Sequence, residues 1–140
     1  MLRFHSHKDR FRLRSQRDDG GRAVQLIDFF DRGAELWPDR DCFHDGHVAA
    51  SYRETSETSH RIANGLRAAG LKEGAKVAVY SPNSIRAFEC ILGILRSGAV
   101  WVPLNARNSL ETNIYILQHC DCEWVFCHSD LEQHTDRIQS

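Results

Sequence analysis

The densest group of potential metal ligands in the sequence lies in "HCDCEWVFCH", residues 119–128. It offers the imidazole and thiol groups that zinc prefers: His119, Cys120, Cys122, Cys127 and His128. The C-x-C-x4-C-H spacing is not a recurring zinc pattern. The segment also runs from a helix end into an apolar strand, where Cys127 points away from the face shared by residues 122 and 128. The pattern therefore favours cysteines packed in a core over a metal centre.

A second chemical candidate is the glycine pair Gly93 and Gly98, which has the G-x-x-x-x-G spacing of a phosphate-binding loop. Ala99 and Val100 follow where such a loop has Lys and Ser or Thr. The pair also ends a predicted helix, where the helix dipole disfavours phosphate. The glycines are better explained by close packing of the helix on the sheet and by a helix cap.

Other groups give no stronger signal. The segment "YSPNS" (80–84) leads from a strand into a helix, as an anion site would, but it lacks the glycine needed for close approach. Cys90 lies in an apolar helix with no base near it in spacing, His44 and His47 flank a turn, and His60 lies on a helix surface. We therefore assign no catalytic, cofactor-binding or metal-ligating residue from the sequence, and expect no nucleotide binding by this chain alone.

The first part of the chain predicts a helix, a hairpin and a second helix. Residues 24–36 have helical apolar periodicity, with an apolar face formed by Leu26, Ile27, Phe29, Phe30 and Leu36. Residues 41–52 predict a hairpin that turns at Asp45-Gly46. Ser51 and Glu54 form a capping box for the second helix, which ends at Gly70. The core face of that helix is expected to hold Thr55, Ser59, Ile62, Leu66 and Ala69.

The second part alternates strands and helices. "KVAVYS" (76–81), "AVWVPL" (99–104) and "EWVFCH" (123–128) predict strands, the first two buried, with Pro103 near the end of its strand. Residues 84–97 predict a largely covered helix and residues 108–120 another. The expected fold is α/β: a partial doubly wound parallel sheet (β-α-β-α-β) preceded by a helix, a β-hairpin and a capped helix.

Composition and charge limit the classes of protein. The chain has 140 residues, of which 41% are hydrophobic and 26% charged, with a net charge of −1, which argues against a dedicated nucleic-acid binder. Residues 1–22 contain seven Arg or Lys and three Asp, and we interpret them as a basic mobile leader. The alternatives are a segment that contacts acidic lipid or nucleic acid, and a targeting peptide. No apolar run approaches the ~20 residues that cross a bilayer. Five cysteines in no disulfide framework favour the cytoplasm.

Residues 52–127 resemble the start of the adenylate-forming (AMP-binding) enzymes, which include acyl-CoA synthetases and fatty-acid–CoA ligases. The resemblance extends over about residues 24–130, and its matching positions are Gly70, Leu71, Gly74, Val77, Ala78, Asn83, Ser84, Gly98, Ala99, Val102, Pro103, Leu104 and Asn105. Two positions depart from the family pattern: Ala75 replaces a frequent Asp, and Ala106 a common Pro. The implied organisation is a leader at 1–22, an N-terminal ligase subdomain at 23–130 and the start of a truncated continuation at 131–140.

The resemblance implies a two-step ligase that uses ATP, Mg²⁺ and CoA to convert a carboxylate into an acyl-adenylate and then a thioester. It places the phosphate loop, the ribose-binding acid and a C-terminal lysine in parts of the family's fold that this chain does not include. We therefore expect an N-terminal fragment without activity of its own, whose partners are the remainder of the ligase or a second copy that covers the sheet. A non-catalytic α/β interaction module and a metal or redox protein remain alternatives.

Overall fold

A computed structural model describes residues 23–139, so the expectation of a basic leader at 1–22 lies outside the described residues. The elements of the described residues are first α1 (Leu26–Leu36), the hairpin strands β1 (Asp41–His44) and β2 (Ala49–Ser51), and α2 (Tyr52–Ala68). Three strands that alternate with two helices follow: β3 (Lys76–Tyr80), α3 (Ile85–Arg96), β4 (Val100–Pro103), α4 (Leu110–His119) and β5 (Trp124–Cys127). A 3-10 helix (Ser129–His134) and α5 (Thr135–Gln139) end the described chain. The sequence had assigned no element to residues 131–139.

The parallel sheet has the order β4-β3-β5, and β1 pairs with β2 in a separate antiparallel hairpin. This confirms the expected α/β fold. Strand β3 lies in the centre, with Val77 and Ala78 fully buried. One face of the sheet packs against Leu66 of α2 and Ile94 of α3, and the other against Leu117 of α4. Helices on both faces are what parallel strands require, because their crossover connections must lie outside the sheet.

Local signals account for the predicted element boundaries. The Ser51 hydroxyl accepts the Glu54 N–H, and the Glu54 carboxylate accepts the Ser51 N–H, which starts α2 as predicted. At the hairpin turn, Asp45 Oδ1 accepts the N–H groups of Val48 and His47, and these hydrogen bonds hold the pKa of the Asp45 carboxyl below its usual value. Gly70 adopts φ +95° after α2, a left-handed conformation that suits glycine.

One predicted apolar face is largely exposed, and two burial expectations, for Ala69 and for the strand at 99–104, were wrong. Leu26, Phe29 and Leu36 of α1 are exposed, so much of its apolar face is uncovered among the described residues. Ala69 is exposed because it caps α2 beyond the face that packs on α3. Strand β4 is an edge strand with Val100 exposed, not a buried strand.

Helix α3 was expected to bury its apolar residues, and it departs from this expectation at two neighbouring positions. Phe88 is exposed and stacks on Phe43 of the hairpin, whereas Glu89 is 5% exposed and accepts a hydrogen bond from Arg86. Helical periodicity assigned apolar residues to the core and gave no sign that a carboxylate would be covered there.

Helices α2 and α3 approach each other closely at Gly93. A Cβ built at Gly93 would clash with Ile62 Cγ2, lie 2.6 Å from Ile62 Cβ and 3.3 Å from the Ser59 carbonyl oxygen. Gly93 therefore has a packing role, but its close neighbour is helix α2, whereas the sequence had suggested the sheet. By contrast, a Cβ at Gly65 of α2 meets nothing within 4 Å.

Replacing Gly93 should test this contact. We expect Gly93→Ala to lower the free energy of unfolding by about 1–3 kcal/mol through overpacking. The matched variant Gly65→Ala should raise it by about 0.5–1 kcal/mol, because alanine favours a helix interior. Urea unfolding followed by circular dichroism measures both. If the clash is the cause, Ile62→Ala should cost less stability in the Gly93→Ala background than in the natural chain; equal costs would contradict this explanation.

A single arginine joins the first three helices. Arg96 of α3, whose side chain is 10% exposed, binds both carboxylate oxygens of Asp31 in α1. Its Nε donates to Ser59 Oγ at 3.2 Å, and its Nη1 lies 3.2 Å from His60 Nε2. His60 Nδ1 lies 2.9 Å from the Ser56 carbonyl oxygen, so the tautomer that donates through Nδ1 leaves Nε2 to accept from Arg96. These contacts fix α1 against α2 and α3.

We expect Arg96→Met to lower the free energy of unfolding by about 1–3 kcal/mol, because the Asp31 carboxylate, Ser59 and His60 lose the mostly buried guanidinium that they contact. The matched control Arg53→Met removes the exposed ion pair with Asp39, whose side chains are 55% and 81% exposed, and should cost less than about 1 kcal/mol. The same unfolding measurement compares them. Equal losses would show that the helices do not depend on the Arg96 contacts.

Candidate functional site

The carboxyl ends of the three parallel strands meet at one edge of the sheet, where open α/β folds bind their ligands. Strand β3 ends at Tyr80, β4 at Pro103 and β5 at Cys127. The segments that follow these residues form the candidate site: residues 81–84, residues 104–109 and residues 128–134.

Tyr80 links the central strand to the last of these segments. Its side chain is 1% exposed, and its hydroxyl lies 3.1 Å from Nδ1 of His134 in the 3-10 helix. The two rings stack with centroids 6.0 Å apart. His128 begins that 3-10 helix by accepting the Asp130 N–H on Nδ1 at 3.2 Å. His134 therefore holds the 3-10 helix against the end of β3, and the His128 side chain caps the start of that helix.

The loop after β4 is held by a buried asparagine of α4. Asn113 is fully buried; its Nδ2 donates to the Asn105 carbonyl at 3.0 Å and its Oδ1 accepts from Asn108 Nδ2 at 3.3 Å. The Asn105 side chain in turn accepts the Arg107 N–H at 2.9 Å. The loop is thereby ordered by side-chain hydrogen bonds, as a loop that lines a binding site needs to be. Sequence analysis missed this network, because three asparagines in a polar stretch have no periodic signature.

The segment after β3 lacks the features of a phosphate cradle. Ser84 Oγ accepts the Ala87 N–H at 3.1 Å and caps α3. The Ser81 hydroxyl donates to the Pro82 carbonyl at 2.8 Å. No glycine in this segment allows a ligand to approach the backbone closely. This edge therefore offers ordered loops but no phosphate-binding loop within residues 81–84.

The sequence-predicted metal candidates are spread along α4, β5 and the 3-10 helix. His119 stacks on Tyr115 with ring centroids 5.5 Å apart, and His128 caps the 3-10 helix. Cys120 and Cys122 pack against the apolar cluster of Ala78, Val102 and Leu117. Within residues 23–139, no three His, Cys, Asp or Glu side chains lie together in a way that could hold a metal ion.

The five cysteines are free thiols and partly buried. Burial raises the pKa of the Cys90 thiol, and the neighbouring Glu89 carboxylate adds to the rise. Burial also raises the pKa of Cys122, Cys127 and Cys42, although for Cys42 the hydrogen bond with Thr55 opposes part of the effect. A raised pKa leaves less thiolate at neutral pH, and the thiolate is the reactive form.

The thiol pKa shifts give a pH-dependent prediction. At neutral pH we expect Cys42, Cys90, Cys122 and Cys127 of the folded chain to react with a disulfide reagent more slowly than a free thiol. Their rates should keep increasing above the pKa of an ordinary cysteine, since the thiolate forms only as the pH approaches the raised pKa. Mass spectrometry of trapped adducts measures each position, and the chain in urea is the control. Rapid labelling of any of these four thiols at neutral pH would contradict the raised pKa values and support a redox role.

No helix within residues 23–139 has the length and apolar character that crossing a membrane would require.

Comparison with known proteins gives the family. The family model described as "AMP-binding enzyme" matches residues 30–140. A crotonobetaine/carnitine–CoA ligase of Proteus mirabilis is 40% identical over 75 residues, and a feruloyl-CoA synthase of Amycolatopsis is 41% identical over 76 residues. Each match covers 54% of this chain, but only 14% and 16% of the relatives.

Solved structures agree with the sequence matches. A putative long-chain-fatty-acid CoA ligase from Rhodopseudomonas palustris superposes with a TM-score of 0.76 at 27% identity, covering 83% of this chain and 30% of that one. The N-terminal domain of FACL13 from Mycobacterium tuberculosis has a TM-score of 0.75 at 24% identity, covering 84% of this chain and 30% of that one, and shows the same fold. The expected resemblance is confirmed. With the family model matching most of its length, the chain belongs to the AMP-binding enzymes and corresponds to an N-terminal portion of their fold.

Proposed function

We propose that this chain is the N-terminal portion of an ATP-dependent acyl-CoA ligase. The observation that supports it best is the family match over residues 30–140 together with a parallel sheet that superposes on an acyl-CoA ligase. The complete enzyme would join a carboxylate to the α-phosphate of ATP and release pyrophosphate. The CoA thiol would then displace AMP from the acyl-adenylate and form the thioester.

The residues present here do not fit a Mg²⁺·ATP site by themselves. Among residues 23–139 there is no cluster of acidic side chains that could hold a metal, and the loop after β3 has no glycine for a phosphate. Phosphoryl chemistry needs such cations and backbone donors, because its catalysis is mostly positioning and charge stabilisation. We therefore derive no catalytic step from this chain, and propose that ATP, Mg²⁺ and CoA are bound by the complete enzyme.

The contribution proposed for this chain is structural support for the site. Strand β3 and the Asn113 network would hold the loops at the carboxyl edge while the remainder of the ligase supplies the reacting groups. The exposed Leu26, Phe29 and Leu36 of α1 give that remainder an apolar surface to cover.

The acyl substrate stays open, since the relatives carry names as different as crotonobetaine/carnitine–CoA ligase and feruloyl-CoA synthase. Free, partly buried thiols suit the cytoplasm, which we propose as the location.

The exposed face of α1 also supports a second candidate function. A non-catalytic interaction module derived from the family would use the same apolar residues to bind a partner protein. The two candidates differ in the length of the natural polypeptide.

Two measurements test the proposal. The purified 140-residue chain should show no ATP–pyrophosphate exchange with aliphatic or aromatic acids, because it lacks the phosphate loop; detectable exchange would refute the proposed inactivity.

An antibody to residues 84–105 should detect, in extract of the source cells, a polypeptide several times heavier than 16.1 kDa. A band at 16.1 kDa would instead support the interaction module.

A further inference from the structure

Helix α3 contains a buried carboxylate that is only partly paired. The Glu89 side chain is 6% exposed, and its Oε2 accepts a hydrogen bond from Arg86 Nη1 at 2.9 Å. The Arg86 side chain is 81% exposed. Glu89 Oε1 accepts no hydrogen bond among the described residues. Because a buried charge is costly unless it is paired and hydrogen-bonded, this free oxygen calls for a further donor.

Glu89 Oε1 also lies beside open space. Within residues 23–139, the sealed side-chain N or O atom that has no hydrogen-bond partner is Trp101 Nε1, so Glu89 Oε1 is not sealed. Glu89 lines a cavity of about 380 Å³. Cavities that bind small molecules usually measure about 300–1,000 Å³. A buried carboxylate with a free oxygen and a cavity of this size together define a candidate ligand site.

The walls of this cavity are held in place by contacts among the described elements. They come from the hairpin β1–β2, from α2 and from the start of α3. Phe43 of the hairpin stacks on Phe88 of α3 with ring centroids 4.9 Å apart. Cys42 Sγ of the hairpin lies 3.2 Å from Thr55 Oγ1 of α2. The cavity is therefore pre-formed and involves no edge of the sheet.

The charges on the walls favour a cation. The walls carry three carboxylates and two guanidinium groups, those of Asp45, Glu54, Glu89, Arg61 and Arg86. Hydrogen bonds from the Ser51 N–H and hydroxyl hold the pKa of the Glu54 carboxyl below its usual value, as the backbone donors at the hairpin turn do for Asp45. With these groups ionised, three negative charges against two positive ones leave the walls with a net charge of −1.

Part of the wall is apolar, which favours an organic cation. Val48, Ala49 and Ala50 of the hairpin and Ile85 of α3 line the cavity beside the charged groups. An alkyl chain can pack on these side chains and leave water, as a bare inorganic cation cannot. The part of the chain described by the structure also contains no group of three His, Cys, Asp or Glu that could hold a metal ion.

We propose that this cavity binds a small alkylamine in its protonated form, with the ammonium group donating to Glu89 Oε1 and the alkyl chain packed on Val48 and Ile85. An ammonium group makes a charge-assisted hydrogen bond to a single oxygen, whereas a guanidinium group binds best to two, and Arg86 already occupies Oε2. This inference goes beyond the proposed ligase origin and does not depend on it.

An NMR titration of the ¹⁵N-labelled 140-residue chain tests the site. Butylammonium chloride should shift the amide signals of residues 45–50 and 84–89 saturably, with a dissociation constant on the order of 1 mM. Tetramethylammonium chloride has the same charge but no N–H donor, and should bind at least about tenfold more weakly. Equal binding of the two cations would overturn the hydrogen bond to Oε1. No saturable shift up to about 50 mM butylammonium would overturn the site.

Three variants test the role of Glu89. Glu89→Gln removes the charge at nearly constant shape and should weaken butylammonium binding at least about tenfold. The matched control Glu57→Gln removes an exposed acid of α2 outside the cavity and should bind like the natural chain. Arg86→Gln alters an exposed side chain, removes a positive charge and frees Oε2, so it should bind at least about threefold more tightly.

The opposite outcomes are equally clear. Equal losses in Glu89→Gln and Glu57→Gln would reduce the effect to overall charge and overturn the proposal. Weaker binding by Arg86→Gln would do the same, because it would show that the Arg86–Glu89 pair only supports the fold. Circular dichroism checks the fold of each variant, and the Arg86→Gln result decides the matter if Glu89→Gln does not fold.

A capped tripeptide with lysine at its centre distinguishes a free amine from a lysine side chain of a partner protein. Because the cavity is proposed to hold only the alkylammonium group, the tripeptide should bind no more tightly than butylammonium. Binding that is about tenfold tighter would overturn the free amine as the ligand.

Discussion

Hydrogen bonding along both edges of β3 is the constraint on which the rest of this structure depends. Since β4 and β5 both run parallel to β3, each connection must return across a face of the sheet. Helix α3 makes one return and α4 the other, on opposite faces. The full burial of Val77 and Ala78 follows, as does the meeting of three strand ends at one edge. The candidate site is thus a consequence of the topology.

The elements that could be predicted from sequence are those with a local cause. The capping box of Ser51 and Glu54 begins α2, and Gly70 ends it with φ +95°; both depend on residues within a few positions. The apolar run of β3 predicted a strand buried on both faces, and the structure confirms it. The spacing of strands and helices was sufficient to predict a parallel sheet, because only a crossover helix fits between such strands.

The remaining features depend on contacts between residues far apart in the chain. Arg96 binds Asp31, 65 positions away, and Tyr80 binds His134, 54 positions away. Charged residues such as Arg96 and Glu89 are usually exposed, and no periodic pattern shows that folding will cover them. The exposure of Leu26 and Phe29 was not predicted either. Periodicity identifies the apolar face of a helix, but it does not show whether another part of the chain covers that face.

The difference between the surfaces that this chain has and the chemical groups that it has connects the fold to its function. The candidate edge has ordered loops, yet within residues 23–139 it has neither a metal-binding cluster nor, after β3, a phosphate loop. A fold supports many activities, and function depends on the groups placed upon it. The chain covers 14% of the crotonobetaine/carnitine–CoA ligase and 16% of the feruloyl-CoA synthase, and the proposed function therefore assigns scaffold and chemistry to different segments. The exposed apolar residues of α1 fit the proposal that this chain is one portion of a longer ligase, since such a portion would keep the surface that its neighbours cover.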